Sequence, residues 1–244
     1  EAAALCQAKG GTLVEPADVR AAQQARMLRH NYPEEQLHES IVEGERLITL
    51  TGSVTGQINA LTQIDLGDYR FGFPVRITAR TFAGQEGLLN IEREVDMSGP
   101  IHDKGVLILH SYLTALFSHV APLALNASIV FEQEYSGVEG DSASCAELYA
   151  LLSSLSGLPL RQGIAITGAL NQHGEVLPVG GINEKIEGWF RACQTAGLDG
   201  TQGVLIPARN QRHLMLDRSV LDAVERGLFH VYTMGHVSEG IALL

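Results

Sequence analysis

The sequence predicts an α/β fold, with mixed strands and flanking helices that are preceded by a short helical segment. Segments rich in β-branched and aromatic residues alternate with stretches in which apolar residues recur at helical spacing. Glycines and prolines separate many of these segments, as turns require. Hydrophobic residues make up 45% of the 244 positions, enough to bury the core of one large domain with or without an appendage.

Residues 1–40 form a helical segment that differs from the rest of the chain. Residues 1–9 are rich in alanine, and the pair Gly10-Gly11 is expected to end this first helix. A second helix is predicted to begin at Glu15-Pro16 and to end at Asn31-Tyr32-Pro33. Because two short helices bury little apolar surface, we expect the segment to be the edge of a preceding helical domain in a longer protein.

Residues 41–244 show an α/β pattern and are predicted to form the main domain. Strands are predicted where β-branched and aromatic residues cluster between turn residues, at positions 54–64, 71–82, 88–93, 127–131, 164–167, 175–178, 204–206 and 229–233. Helices are predicted where apolar residues recur every three or four positions, at 104–119, 142–155, 182–196 and 217–226.

The charge and hydropathy of the chain argue against two classes of partner. Acidic residues number 28 and basic residues 17, for a formal net charge of -11. A surface of this sign repels phosphate backbones, so we expect no nucleic-acid partner. No stretch reaches the roughly 18 apolar residues of a membrane helix, so we expect no membrane association.

Metal and nucleotide sites find little support in the sequence. Cys6, Cys145 and Cys193 are odd in number and far apart, which favours reduced thiols in a reducing compartment. They form no CxxC pair, and the nine histidines form no HExxH spacing that would predict zinc. The chain has no GxxxxGK(S/T) loop for ATP, so we expect no cofactor within it.

The segment Val138-Glu139-Gly140-Asp141-Ser142-Ala143-Ser144 lies between a predicted buried strand and a predicted helix. A serine there faces a helix N-terminus, where free backbone N–H groups and the positive end of the dipole can stabilise a developing oxyanion. Ser142 is therefore a candidate nucleophile. The same placement suits an ordinary N-cap, and the residues alone favour the cap.

A second segment, residues 174–187, contains a candidate base. Gly180-Gly181 form a tight turn, and Lys185 lies in the first turn of the helix predicted to follow. The helix dipole disfavours a positive charge at that point, which would lower the pKa of the lysine. The alternative is a solvated lysine paired with Glu184 or Glu187, and periodicity alone favours this alternative.

Taken together, the two segments resemble the proteolytic domain of the Lon protease family, peptidase S16. EGDSAS at residues 139–144 is similar to the B-type nucleophile motif and departs from the more common bacterial form, which has Pro before the serine and Gly two residues after it. GEVLPVGGINEKIE at residues 174–187 follows about forty residues later, in the family's order. The resemblance covers roughly residues 41–244 and is strongest to the proteobacterial Lon-related ATP-dependent proteases.

The resemblance implies a Ser-Lys dyad, with Ser142 as nucleophile and Lys185 as general base. Serine is a poor nucleophile until a base takes its proton, and lysine can do so only when neutral. The two side chains are therefore expected within hydrogen-bond reach, roughly 2.6–3.2 Å. Residues 165–168 resemble the family's T-G strand end, which suggests Thr167 as the hydroxyl that holds the amine.

The family pattern carries further expectations. Glu139 and Asp141 are expected to support the site. The substrates would be unfolded or damaged polypeptides, the assembly a homo-hexamer and the location the cytoplasm. Residues 1–40 would be the remnant of an AAA+ lid or linker, with ATP and Mg²⁺ needed only by the missing upstream region. The alternative is a non-catalytic, ring-forming scaffold of the same fold, and the presence of both Ser142 and Lys185 favours the enzyme.

Overall fold

The computed structural model describes residues 1–84, 87–119 and 125–244, and it has the predicted mixed α/β architecture. Three helices precede the first strand: α1 Ala2–Ala8, α2 Pro16–His30 and α3 Tyr32–Val42. The sequence predicts no third helix, because Pro33 was expected only to end α2. Pro33 instead lies in the first turn of α3, where its missing N–H leaves no hydrogen bond unmade. Helix α3 passes through residue 40, and the division of the chain at that point stays a prediction.

Strands and helices alternate along the remainder of the described chain. The strands are β1 Ser53–Val54, β2 Gln57–Asp65, β3 Arg70–Ala83, β4 Gly87–Asn90, β5 Leu125–Phe131, β6 Leu160–Arg161, β7 Ile164–Ile166, β8 Ala169–Leu170, β9 Val176–Leu177, β10 Gly203–Pro207 and β11 His230–Met234. The helices are α4 Ile91–Glu94, α5 Pro100–Phe117, α6 Ser144–Ser156, α7 Ile182–Ala196, α8 Arg218–Glu225 and α9 Val237–Ile241, with a 3-10 helix at Ala208–His213. None of the described helices has both the length and the apolar character needed to cross a membrane.

Seven of the described strands form one mixed sheet, in the order β11-β10-β7-β2-β3-β5-β4. Strands β11, β10, β7 and β2 are parallel, whereas β3 is antiparallel to both β2 and β5. Neighbouring residues of a strand point to opposite faces, so the sheet separates two cores. In β7, Ile164 and Ile166 face the core that includes α5 and α6, and Ala165 faces the core that includes α7 and α8.

Local backbone conformation explains two differences between predicted and observed strands. The predicted strand 54–64 is interrupted after β1 because Gly56 has a φ of 69°, which an extended strand does not allow. The predicted strand 88–93 ends at Asn90, whose side chain accepts a hydrogen bond from the N–H of Arg93 and thereby caps α4.

The backbones of β3 and α7 are in direct contact, because a glycine lies on each side of their crossing. A Cβ on Gly188 would lie 1.9 Å from the carbonyl oxygen of Gly72, and a Cβ on Gly72 would lie 2.5 Å from the Cα of Lys185. Any larger side chain at either position would push the helix away from the sheet. This contact therefore sets how deeply Lys185 lies beside β3.

We expect Gly188→Ala to lower the free energy of unfolding by about 2 kcal/mol, the usual cost of an overpacked core position. Urea titration of the purified chain measures the loss. Gly180→Ala is the matched control, since a Cβ there would meet nothing within 4 Å and Gly180 does not have a left-handed φ. Equal stability losses in the two variants would show that the crossing is not the sensitive contact.

Candidate active site

Ser142 lies in the turn that precedes α6. The helix begins at Ser144, two residues later than predicted, and the N–H and hydroxyl of Ser144 both donate to the carbonyl of Asp141, at 3.1 and 2.7 Å. No side-chain hydrogen bond caps α6, so the N-cap interpretation is wrong for Ser142. The Ser142 hydroxyl is therefore available for another role.

The backbone of Ser142 is held at the carboxyl end of β7. The N–H of Gly168 donates to the Ser142 carbonyl at 2.7 Å, and the Thr167 hydroxyl donates to the same oxygen at 3.3 Å. The N–H of Cys145 in turn donates to the carbonyl of Gly168 at 3.1 Å. These bonds join the start of α6 to the residues that follow β7.

Lys185 reaches the same point from the first turn of α7. Its Nζ donates to the Oγ of Ser142 at 2.9 Å and to the Oγ1 of Thr167 at 3.2 Å. The distance to Ser142 falls within the expected hydrogen-bond range. The structure thus brings together three residues that the sequence singled out, from segments that lie far apart along the chain.

The surroundings of Lys185 favour its neutral form. Only 4% of the residue is exposed, so the alternative of a solvated lysine paired with Glu184 or Glu187 is wrong. Burial lowers the pKa of Lys185 to about 8, and the charge of Asp141 opposes this shift. A buried ammonium loses hydration, which two hydroxyl neighbours replace only in part. Near pH 8 a large share of the molecules therefore carries an amine that can accept a proton.

Backbone donors are also available beside the serine. Among the described residues, the N–H groups of Asp141, Ser142 and Ala143 have no hydrogen-bond acceptor. They precede the first turn of α6, where the helix dipole contributes a partial positive charge. Such donors can stabilise a negative oxygen that forms next to the Ser142 hydroxyl.

A cleft of about 460 Å³ opens beside Ser142. One wall is formed by residues 136–140, Ser142 and Ala143, and another by the second half of β2. The lining combines apolar and charged side chains, among them Leu61, Ile64, Phe73, Arg46 and Glu134. The cleft is therefore an open groove that can receive an extended chain next to the serine.

The two acidic residues of the nucleophile motif have different surroundings. Asp141 is close enough to Lys185 for its charge to raise the pKa of the amine. The Glu139 carboxylate packs against Gly99, where an added Cβ would lie 1.2 Å from Oε2. Glu139 lines the cleft but makes no hydrogen bond to Ser142 or Lys185 within the described chain. A supporting role for the two acids stays a prediction.

Sequence reasoning missed a buried polar cluster that includes a residue in the first turn of α6. Its members are Asn90, Glu92, His102 and Glu147, each at most 4% exposed. The Nε2 of His102 lies 3.1 Å from the Nδ2 of Asn90 and 3.8 Å from the Oε1 of Glu147. The His102 ring also packs edge-on against Phe131, with 5.3 Å between the ring centroids. The cluster therefore links α4, α5 and β5 to the first turn of α6.

The sequence did carry a signal for this cluster. His102 precedes Val106, Leu109 and Leu113 at helical spacing, so it lies on the face that α5 buries. Glu147 similarly interrupts the apolar run of α6. Burial raises the pKa of Glu147 to about 8, with a smaller contribution from Glu92, and burial lowers the pKa of His102. Both side chains are consequently neutral in most molecules at pH 7.

Comparisons with known proteins agree on one family. Residues 136–242 match the family described as Lon protease (S16) C-terminal proteolytic domain. A Lon protease homolog of Escherichia coli (strain K12) is 40% identical to this chain, and the match covers 100% of this chain and 42% of the relative. A Lon protease homolog of Haemophilus influenzae is 37% identical, and the match covers 96% of this chain and 39% of the relative. An archaeal Lon protease of Methanothermobacter thermautotrophicus is 31% identical over 96% of this chain and 34% of its own length. The chain thus spans about two fifths of these relatives or less.

The raised pKa of Glu147 predicts how stability depends on pH. Between its ordinary value of 4.5 and about 8, the folded carboxyl keeps its proton while the unfolded one loses it, so the free energy of unfolding falls as the pH rises. Glu147→Gln removes this contribution. We expect the variant to match the parent at pH 4 and to exceed its stability at pH 8, by on the order of 3 kcal/mol.

Denaturant unfolding at several pH values measures the effect of Glu147→Gln. The exposed Glu225 of α8 supplies the control, since Glu225→Gln changes the same functional group in water. A Glu147→Gln curve that runs parallel to the parent from pH 4 to pH 8 would contradict the prediction.

Proposed function

Because this chain belongs to the Lon protease family, we propose that it is a serine endopeptidase in which Ser142 is the nucleophile and Lys185 the general base. One observation carries the proposal. A buried amine with a pKa of about 8 lies 2.9 Å from a serine hydroxyl that makes no other hydrogen bond to the described residues. A serine becomes a strong nucleophile when an adjacent base accepts its proton, and a desolvated lysine is such a base.

In the proposed reaction, neutral Lys185 takes the hydroxyl proton of Ser142 as Oγ attacks the carbonyl carbon of the scissile peptide bond. The negative oxygen of the tetrahedral intermediate accepts hydrogen bonds from the free N–H groups that precede α6. The C–N bond then breaks, the leaving amine takes the proton from Lys185, and an ester remains on Ser142. A water that gives its proton to Lys185 hydrolyses this ester and restores the serine.

Thr167 supports this mechanism by orienting the amine. Its hydroxyl hydrogen is directed to the Ser142 carbonyl, which leaves its oxygen to accept a hydrogen from Lys185. A neutral amine that donates to Thr167 can turn its lone pair toward the Ser142 hydroxyl. The proposed role of Thr167 is therefore to select the productive orientation of the base.

The groove beside Ser142 supports a polypeptide as substrate. Strand β2 pairs with β3 along its full length but with β7 only at Asn59 and Ala60. At residues 61–65, the edge of β2 that faces β7 has no partner strand among the described residues. Residues 61–64 also line the cleft. An extended chain can use such backbone groups, whereas a folded domain cannot enter a groove of this size. Unfolded or damaged polypeptides are the proposed substrates.

Properties of the whole protein are further proposals, because this chain spans about two fifths of its relatives. We propose that residues 1–40 belong to an AAA+ lid or linker and that an upstream region binds ATP and Mg²⁺ to drive degradation. The domain of residues 41–244 then needs no cofactor of its own. The proposed location is the cytoplasm, with neither nucleic acid nor a membrane as partner.

We expect Ser142→Ala and Lys185→Arg each to reduce peptide hydrolysis by about 10³-fold or more, because a guanidinium stays charged and cannot accept a proton. In the parent chain, activity should rise with pH through about 8, since Lys185 loses its proton over that range and the neutral amine is the active form. Hydrolysis of a fluorogenic peptide and of casein from pH 6 to pH 10 measures both effects.

The control for the dyad test is Lys104→Arg, which changes an exposed lysine in α5. It should leave both the rate and the pH profile unchanged. Near-parental hydrolysis by Lys185→Arg would refute the dyad, and no hydrolysis by the parent chain beyond that of Ser142→Ala would favour the scaffold instead.

We also propose that the chain assembles as a six-membered ring, and sedimentation velocity tests this assembly. The expected result is a species with the mass of six chains, whose proportion increases with protein concentration. The ring would be contradicted if the chain sedimented as a monomer at every concentration from about 1 µM to about 200 µM. This range covers ordinary affinities for self-association.

A further inference from the structure

Helix α3 is docked on the rest of the chain through polar side chains. Its two buried residues are Glu34 and His38, and neither is apolar. Neither ring nitrogen of His38 has a hydrogen-bond partner among the described residues. Within the described chain, Glu34 is the one residue of α3 whose side chain makes a hydrogen bond or ion pair to the strands and helices that follow. The contacts of Glu34 therefore provide the directional restraint on where α3 lies.

The carboxylate of Glu34 joins two elements that border the active site. Its Oε1 lies 2.7 Å from an Nη of Arg191 on α7, and its Oε2 accepts a hydrogen bond from the hydroxyl of Tyr69. Arg191 follows Lys185 on the same helix. Tyr69 lies in the turn between β2 and β3, just after the residues of β2 that line the cleft. Glu34 thus connects α3 to both of these elements.

Arg191 is the charged partner of Glu34 among the described residues. Burial lowers the pKa of His38 to about 4, with a smaller contribution from the charge of Arg191, so the His38 ring is neutral at pH 7. The 3.8 Å between its Nε2 and the Oε1 of Glu34 is also beyond hydrogen-bond length. Only 7% of the Glu34 side chain is exposed, so water cannot readily replace the contacts with Arg191 and Tyr69.

The face of α3 that carries Glu34 also reaches the cleft. Leu37 and His38 follow Glu34 by three and four residues, so the three side chains share one side of the helix. Leu37 is half-buried and lines the cleft in which Ser142 lies. The His38 ring packs edge-on against Phe73, another cleft residue, with 5.6 Å between the ring centroids. One turn of α3 beyond Glu34 is therefore part of the cleft wall.

The segment that follows α3 continues this wall. The N–H of Arg46 donates to the carbonyl of Ser40 at 2.9 Å, which folds the segment back onto the end of the helix. The guanidinium of Arg46 lies over the Phe73 ring, 5.4 Å from its centroid, and Arg46 also lines the cleft. A shift of α3 would therefore move two residues of the cleft lining, Leu37 and Arg46.

We propose that Glu34 is a positioning residue for substrate binding, which holds α3 against α7 and the β2–β3 turn and thereby keeps Leu37 in the wall of the cleft. This inference rests on the peptidase function proposed above. Glu34 itself does not line the cleft, so it acts through the side chains that α3 presents there. Residues 1–40 are then part of the substrate site as well as a connection to the proposed upstream region.

Glu34→Leu tests the inference, because a side chain of similar size replaces the carboxylate and leaves Arg191 and Tyr69 without their acceptor. We expect KM for a fluorogenic peptide to rise by about tenfold and kcat to change by less than about twofold, since the serine–lysine pair is untouched. Glu39→Leu is the matched control, the same substitution at an exposed position of α3, and it should leave both constants unchanged.

Leu37→Ala changes the cleft wall and leaves the contacts of Glu34 in place. It should also raise KM, and in the Glu34→Leu chain it should add little, because both substitutions act through the same wall. A KM equal to that of the parent in Leu37→Ala would overturn the inference, and this variant gives the answer even if Glu34→Leu fails to fold.

Hydrogen exchange of the α3 amides, followed by mass spectrometry, measures docking without turnover. We expect faster exchange across α3 in Glu34→Leu than in the parent or in Glu39→Leu. Parental exchange in Glu34→Leu would show that Glu34 does not hold the helix. Faster exchange with an unchanged KM would show that the docked helix does not shape the cleft. Either result would overturn the inference.

Peptide binding to inactive chains separates this inference from the proposed function. Fluorescence anisotropy of a labelled casein peptide measures its affinity for Ser142→Ala with and without Glu34→Leu, and we expect about tenfold weaker binding in the double variant. A parent no more active than Ser142→Ala, with peptide binding that still depends on Glu34, would refute the proposed function and leave the role of Glu34 in place. An active parent with equal peptide affinity in the two inactive chains would refute the inference alone.

Discussion

The burial of one lysine amine beside a serine hydroxyl is the constraint on which the rest of this structure depends. The folded state disfavours the charged form of Lys185, whose pKa of about 8 lies below its ordinary 10.5. Between these values the folded amine loses its proton before the unfolded one does, so the stability that burial removes is regained as the pH rises from 8 to 10.5. At neutral pH this residue costs on the order of 3 kcal/mol, which the surrounding packing offsets.

The packing of α7 against the sheet fixes the position of Lys185. The glycine crossing between β3 and α7 brings the Cα of Lys185 next to the sheet, and only 4% of the residue is exposed. Four residues later the fully buried Trp189 fixes the same helix, because its indole N–H donates to the carbonyl of Gly203 at 2.7 Å. A helix held at two points along one face cannot rotate its lysine toward solvent without breaking both contacts.

The site is assembled from both faces of the sheet. Helix α6, which follows Ser142, packs in one core, and α7, which carries Lys185, packs in the other. They meet at the carboxyl end of β7, where Thr167 and Gly168 bond to the Ser142 carbonyl and Thr167 also accepts from the lysine. Elements on both faces of the sheet can contact the end of a central strand. The backbone groups there are not used in helical hydrogen bonds, so they remain available to other partners. The buried polar cluster brings α5 close to α6, because the Nε2 of His102 and the Oε1 of Glu147 lie 3.8 Å apart.

Much of this arrangement was predictable from local sequence. Ser142, Thr167 and Lys185 were singled out by the resemblance of three segments to the Lon family, whereas the α/β class and most of the helices and strands follow from periodicity and turn residues. These features depend on residues close together in the chain, whose conformational preferences act locally. Helix α3 was missed because Pro33 can either end one helix or begin the next, and only packing decides between the two.

Other features were decided by the tertiary structure alone. The sequence by itself could not distinguish a buried lysine from a solvated one, because the same motif allows both and only the packing of α7 against the sheet leaves Lys185 4% exposed. Nor could it join Asn90, His102 and Glu147, since their contacts depend on the relative placement of three separate segments. The sequence determined which residue types are available and the type of most elements, whereas long-range packing decided whether α3 forms and which side chains are buried together, and burial lowers the pKa of Lys185.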